Sequence, residues 1–255
     1  MLREDFAFFH AARQSAFDDP VAKDYLQQRS TDSDIGEKLE SRYKGIVENY
    51  KSGYRRRPAG TTLLFEGDVC KELYILLDGW VARSRCLDNG KRLTLNFHMP
   101  GAFLGFQTDL LAPSGSTIRC ITETVVCVFP RTAFTSLLKN NTALGSALEF
   151  SKAEDEKRMQ ENLINIATRP ARARIANLIL TLHKRIVSVY PEENHADVHW
   201  PLTQQDIADT LGLSNVHVNR ALRTLDKEQV LSLKKNRLQI HDFEILSDIA
   251  RNSDR

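Results

Sequence analysis

Six residues in one short stretch have the chemistry to read a nucleic acid: Asn215, Val216, His217, Asn219, Arg220 and Arg223. Asn, His and Arg offer hydrogen bonds to base edges and phosphates, and a valine can meet a thymine methyl. All six avoid a second stripe, Val218, Ala221, Leu222 and Leu225, whose spacing suits the buried face of a helix. Arg220 is the candidate for main base reader, through the acceptors of a guanine. Asn215, Val216, His217 and Asn219 would add discrimination. Ser214, Gln204 and Arg223 are candidates for backbone anchors, and Thr203 and Lys235 complete the DNA-binding set.

These residues need two helices and a tight turn to hold them. Thr203 is a helix cap, and Gln204, Gln205 and Asp206 fill a first turn that favours negative charge. Ile207, Ala208 and Leu211 form an apolar face, Gly212 permits a left-handed turn, Leu213 plugs the corner and Ser214 caps the second helix. Such a pattern predicts a helix-turn-helix, although any two-helix corner of an all-α protein offers part of it. The next residues favour DNA. Val230–Leu233 and Leu238–Ile240 are short β-prone runs around the basic turn Lys234-Lys235-Asn236-Arg237, which predicts a hairpin wing. Between Asn219 and Arg237 the cations are Arg220, Arg223, Lys227, Lys234, Lys235 and Arg237, against Asp226 and Glu228. The whole chain carries only +2, so the positive charge is local.

The 255 residues allow one large or two ordinary domains. The chain is 42% hydrophobic and 27% charged, as in soluble globular proteins, and no run approaches the roughly 20 apolar residues of a membrane span. The acidic residues near the N-terminus argue against a secretory signal, so a cytoplasmic location is expected. Cys70, Cys86, Cys120 and Cys127 form no CxxC pair and read as inert, buried thiols, so no metal or other cofactor is called for.

Residues 1–57 read as a helical extension, with Phe6, Phe8, Phe9 and Phe17 able to dock on the body and a helical stripe from Ile35 to Tyr50. From Pro58 to Phe129 the period changes to that of short strands, with turns at Glu66–Asp68, Asp88–Lys91 and Pro100-Gly101. Leu73–Leu77, Asp78-Gly79 and Trp80–Arg83 predict a hairpin. Leu93, Leu95 and Phe97 alternate with Thr94 and Asn96, which predicts a half-buried strand. An all-β sandwich or barrel follows. After Pro130 comes a short apolar helix, then a long one over 142–168. Its seam of Leu144, Leu148, Ser151, Asp155, Met159, Asn162 and Ile166 has heptad-like spacing and marks a dimer interface, although a helix packed on its own β domain is the alternative. Ala171–Val189 is a further amphipathic helix, and a loop from Tyr190 to Trp200 leads to the helix-turn-helix.

The segments FEGD at Phe65–Asp68, YILLDGWVARS at Tyr74–Ser84, PGAFLGF at Pro100–Phe106 and the long Leu202–Leu231 segment resemble the Crp/Fnr family of bacterial transcription regulators. The resemblance covers about residues 58–250 and implies an α+β chain. An N-terminal β-roll (a double-stranded β-helix or jelly roll) over 58–141 is followed by a dimerisation helix over 142–168 and a winged helix-turn-helix over 169–255. It also implies a homodimer on a palindromic double-stranded operator, with RNA polymerase and a small-molecule effector as further partners. The family's cyclic AMP motifs are altered. Phe106 stands where a Glu would hold the ribose, and Ser114-Gly115-Ser116-Thr117 lacks the Arg that would meet the phosphate. No Cys precedes Cys70, against an N-terminal iron–sulfur cluster, and His98 is the only His of the β region. The effector is therefore expected not to be cyclic AMP, with Phe106 and Thr117 marking where a pocket would be sought. Val216 replaces a Glu common on the family's recognition helix, so the half-site should differ.

Two other functions compete with a regulator. A β-barrel metalloenzyme needs clustered ligands, yet only His195 and His199 lie close in sequence, and no nucleophile–base arrangement stands out. A helix-turn-helix protein acting through protein contacts alone would not need the basic wing. The chain reads as a non-enzymatic, sequence-specific DNA-binding regulator.

Overall fold

The computed structural model describes residues 11–13, 15, 16, 19, 20, 22, 47–106, 112–190 and 194–251. Phe6, Phe8, Phe9, Phe17 and the stripe from Ile35 to Ile46 lie outside the described residues; of that stripe, Val47 is buried and Tyr50 packs on the core. The chain divides into two compact units, residues 1–85 with 97–156 and residues 86–96 with 157–255.

The β-roll is built from two four-stranded sheets. β1 (Gly53–Arg57), β8 (Thr124–Pro130), β3 (Glu72–Asp78) and β6 (Phe103–Leu104) form one, in that order. The other runs β2 (Thr62–Leu64), β7 (Thr117–Cys120), β4 (Val81–Cys86), β5 (Arg92–His98). Burial on both faces explains why β3 and β8 are apolar without alternation. Tyr74, Leu76, Val126 and Val128 meet Leu64, Val81, Ile118 and Cys120 of the other sheet. Leu73, Ile75, Leu77, Val125, Cys127 and Phe129 share a second cluster with Val47 and with Phe134 and Leu137 of α1 (Arg131–Asn140). Leu144 and Leu148 of α2 (Thr142–Thr168) join that cluster.

Several expectations change here. The Asp78-Gly79 turn closes no hairpin: β3 pairs with β8 and β6 and β4 pairs with β7, so the chain crosses between sheets at this corner. Gly79 has φ +86°, and a Cβ there would lie 2.3 Å from the Glu123 carbonyl oxygen. β1 lies before Pro58 and carries Arg55, Arg56 and Arg57 into the roll through its pairing with β8. On β5 the alternation is not simple: Thr94, Asn96 and His98 are buried, while Leu93 and Leu95 are half-buried. Cys86 is exposed, unlike Cys70, Cys120 and Cys127.

In the second unit, α3 (Ala171–Val189) buries Ile175, Leu178, Ile179, Leu182 and Ile186. β9 (Asp197–His199) interrupts what the sequence presents as a loop and pairs with β11. Then follow α4 (Gln204–Leu211), α5 (Asn215–Lys227), β10 (Leu231–Lys234), β11 (Arg237–Ile240) and α6 (Phe243–Arg251). The three strands form a sheet ordered β10-β11-β9. Trp200 and Leu225 are fully buried, as are Leu231 and Leu238 of the hairpin. No helix among the described residues is long and apolar enough to cross a membrane.

Candidate nucleic-acid interface

Local chemistry fixes the ends of α4 and α5. Thr203 Oγ1 accepts from the Asp206 backbone N–H at 3.1 Å, and the Asp206 carboxylate accepts from the Thr203 N–H at 3.0 Å, a reciprocal capping box. Gly212 ends α4 at φ 65°, ψ 30°, the left-handed conformation glycine takes without strain. Ser214 Oγ accepts from the His217 N–H at 3.3 Å and caps α5. Burial of Ile207, Ala208 and Leu211 on α4 and of Val218, Leu222 and Leu225 on α5 leaves the polar face of α5 outward. Ala221 is only half-buried.

A shallow groove along that face brings most of the expected readers together. Gln204, Asn215, Val216, Asn219, Arg220, Arg223, Thr224 and Lys227 line it. Val216 is 74% exposed, an unusual position for an apolar side chain and one suited to a thymine methyl. Asn219 Nδ2 donates to Gln204 Oε1 at 3.0 Å, and Asn215 Nδ2 donates to Gln205 Oε1 at 2.5 Å. Each helix therefore supplies one amide of two pairs that bridge the turn. Thr203 and Ser214 act as the helix caps, and His217 Nδ1 lies 3.0 Å from Ser214 Oγ.

The cations of α5 and the hairpin fall into two classes. Lys234 lies 3.3 Å from Asp226, and Arg237 Nε donates to Asp197 at 2.8 Å, so both are neutralised within the chain. The Arg237 and Gln239 side chains hold the Asp197 carboxyl below the usual carboxylate range by hydrogen bonding. Arg220, Arg223, Lys227 and Lys235 have no side-chain partner among the described residues. Lys235 and Asn236 turn the wing with φ 51° and 59°, the pair of positive φ values a two-residue hairpin loop needs. This turn lifts the Lys235 side chain to an exposed tip.

Other expected site residues are placed apart. Phe106 packs its ring on Phe103 and Phe134, at centroid distances of 5.8 and 5.1 Å. Thr117 Oγ1 instead accepts from the Glu66 N–H at 3.1 Å, on β7 of the other sheet. Beside it, Arg83 of β4 donates through Nε to Ser116 Oγ at 2.9 Å, a cation reaching the Ser114–Thr117 stretch from a strand the sequence does not connect with it. His98 is buried, with Nδ1 3.7 Å from Asp155. On α2, Leu144 and Leu148 fill the core of their own unit and have no surface to give a second copy. Asn162 donates weakly to the Thr210 carbonyl at 3.5 Å, Ile166 is half-buried and Met159 is exposed. Two exposed neighbours of Met159, Leu163 and Ile164, were not apparent in the heptad seam.

Capped helices, a basic hairpin and an exposed groove lined by amide, guanidinium and ammonium groups are the features of a winged helix-turn-helix module. Comparison with known proteins agrees. Residues 54–141 match the cyclic nucleotide-binding domain, and residues 173–249 match the Crp-like helix-turn-helix domain. The transcriptional activator protein FnrL of Cereibacter sphaeroides is 23% identical over 209 residues, 79% of this chain and 82% of that protein. The nitrogen fixation regulation protein FixK of Rhizobium meliloti is 27% identical over 192 residues, 75% of this chain and 81% of that one. The structure of FixK2 from Bradyrhizobium japonicum superposes with a TM-score of 0.70 at 18% identity, over 79% of this chain and 98% of that one. The chain belongs to the Crp/Fnr family and is a DNA-binding transcription regulator.

Proposed function

We propose that two copies of the chain pair through the C-terminal half of α2 and bind a palindromic operator. Each α5 would enter one major groove, with half-site centres about one helical turn apart. Arg220 is the main base reader. Val216, Asn215, Asn219 and His217 add discrimination, while Arg223, Lys227 and Lys235 meet phosphates. One observation carries this reading. Three cations without a side-chain partner among the described residues, Arg220, Arg223 and Lys227, line a groove whose remaining lining is amide, hydroxyl and one exposed valine. The exposed Met159, Leu163 and Ile164 support pairing along α2.

The effector is a molecule other than cyclic AMP. Phe106, at the position of the ribose-binding carboxylate, is committed to an aromatic cluster and offers no acceptor for a ribose hydroxyl. Binding of the purified full chain to a randomised DNA pool, without added ligand, tests the whole reading. A palindrome with half-sites about 10 base pairs apart is the expected result. Arg220→Ala should then weaken operator binding by about 1–3 kcal/mol and relax one position of each half-site. Unchanged affinity in that variant would remove Arg220 from its role.

A further inference from the structure

Arg92 lies in the same compact unit as α4 and α5, yet 117 residues before the residue it holds. Its Nε donates to Asp209 Oδ2 at 2.7 Å, and its Nη2 is also 2.7 Å from that oxygen. The other carboxylate oxygen, Asp209 Oδ1, accepts from Gln205 Nε2 at 2.5 Å. Gln205 Oε1 in turn accepts from Asn215 Nδ2 at 2.5 Å. Four side chains thus form one line from β5, across α4, to the first turn of α5.

An ionised carboxylate only accepts hydrogen bonds. Asp209 therefore dictates the direction of every bond downstream. Gln205 must turn its amino group to Asp209 and its carbonyl to α5. Asn215 must then answer with its amino group, which leaves Oδ1 as the acceptor on its exposed side. Arg92 holds the Asp209 carboxylate in place. The neighbouring Gln204–Asn219 pair has no charged side chain hydrogen-bonded to it among the described residues, so nothing comparable sets its polarity.

We propose that Arg92, Asp209 and Gln205 are positioning residues for Asn215, and that the outward Oδ1 makes Asn215 select a base with an exocyclic amino group, adenine or cytosine, on the strand it faces. This rests on the DNA-reading assignment above. In the major groove only adenine N6 and cytosine N4 donate to such an acceptor, whereas guanine and thymine present oxygen there. A strand residue outside the helix-turn-helix thus shares in setting the half-site.

The test uses the full-length protein and the operator it selects, with every single-base variant of one half-site. Asn215→Ala identifies the position Asn215 reads, by losing a preference of about fivefold or more there. Asp209→Asn, whose amide can donate as well as accept, should lower that preference to under about twofold and leave the other positions intact. Arg92→Met should act in the same direction. Asp209→Asn combined with Asn215→Ala should relax that position no further than Asn215→Ala alone. Should Asp209→Asn fail to fold, Gln205→Met carries the same expectation and leaves the Arg92–Asp209 pair in place. Folded variants that keep the original preference, or that weaken all positions equally, overturn the proposal. A wild-type protein that selects no sequence overturns both this proposal and the DNA-reading assignment, whereas specific binding with an unaltered preference overturns this one alone.

Discussion

The Lys234 ammonium lies 3.3 Å from the Asp226 carboxylate, so the wing is tied by charge to the end of the recognition helix. Lys235, one residue on, has no such partner among the described residues and stands at the tip of the turn. Adjacent lysines thus have different work. Removing a cation that neutralises a phosphate lowers the salt dependence of DNA binding by about one unit in the slope of log K against log salt. Lys235→Ala should show that loss and weaken all sequences about equally. Lys234→Ala should leave the slope nearly unchanged, because its charge is already answered by Asp226. Affinities measured from about 50 to 200 mM salt decide this. Equal slopes for the two variants would place both lysines on phosphates.

The second half of α2 carries Leu163, 68% exposed, and Ile164, 55% exposed. Exposed leucine and isoleucine side by side on a long helix call for a partner surface. Burying one such side chain contributes about 1.5–3 kcal/mol. Leu163→Glu removes that gain and buries a charge in its place. The dimer should weaken by at least about tenfold in sedimentation equilibrium, and operator binding should weaken with it. A variant that sediments as the wild type would move the interface elsewhere. Leu148→Glu is a contrasting case, since Leu148 belongs to the core of its own unit and its replacement should unfold the chain rather than separate two copies.

Gly79 marks where the chain leaves one sheet for the other. Its φ of +86° and the 2.3 Å approach of a hypothetical Cβ to the Glu123 carbonyl both exclude a side chain. The neighbouring bonds are set by that close approach: the Trp80 N–H donates to Thr122 Oγ1 at 2.9 Å, and the Ile121 N–H donates to the Trp80 carbonyl at 2.8 Å. Gly79→Ala should cost more than about 2 kcal/mol, the left-handed penalty of an L-residue plus the backbone shift. Urea denaturation followed by circular dichroism measures it. A loss under about 0.5 kcal/mol would show that the corner relaxes freely.

The helix-turn-helix was readable in the sequence because its signals are local. Thr203, Gly212 and Ser214 each act within four residues, and the apolar spacing of Ile207 to Leu225 needs no knowledge of partners. The length of α2 followed for the same reason, between Asn141 and Pro170. Strand pairing did not follow. Asp78-Gly79 has the composition of a hairpin turn, but β3 pairs with β8 and β4 with β7, strands far along the chain, and no local signal encodes that choice. β9 is three residues long and is held by its pairing with β11, from His199–Arg237 to Asp197–Gln239. The Arg92–Asp209 bond and the Arg83–Ser116 bond belong to the same class, since both join residues distant in sequence through side chains alone.

Glu72 begins β3 and receives both ends of the Arg55 guanidinium, at 2.5 Å each, with the Tyr74 hydroxyl at 3.0 Å. Hydrogen bonding from Arg55 comes first among the causes that hold its carboxyl below the usual glutamate range. A folded-state value below the unfolded one means that folding releases a proton as pH falls into the interval between them. The stabilisation is therefore complete above the unfolded value of about 4.3 and disappears as pH falls through the lowered folded value. Both partners are about a third exposed, so the contribution is modest. Glu72→Gln cannot titrate, and its stability should fall less steeply below about pH 4.3 than that of the wild type. Urea midpoints of the two proteins from about pH 7 down to about pH 3 give the comparison. Parallel acid limbs would show that the Arg55–Glu72 pair contributes nothing to the pH dependence of folding.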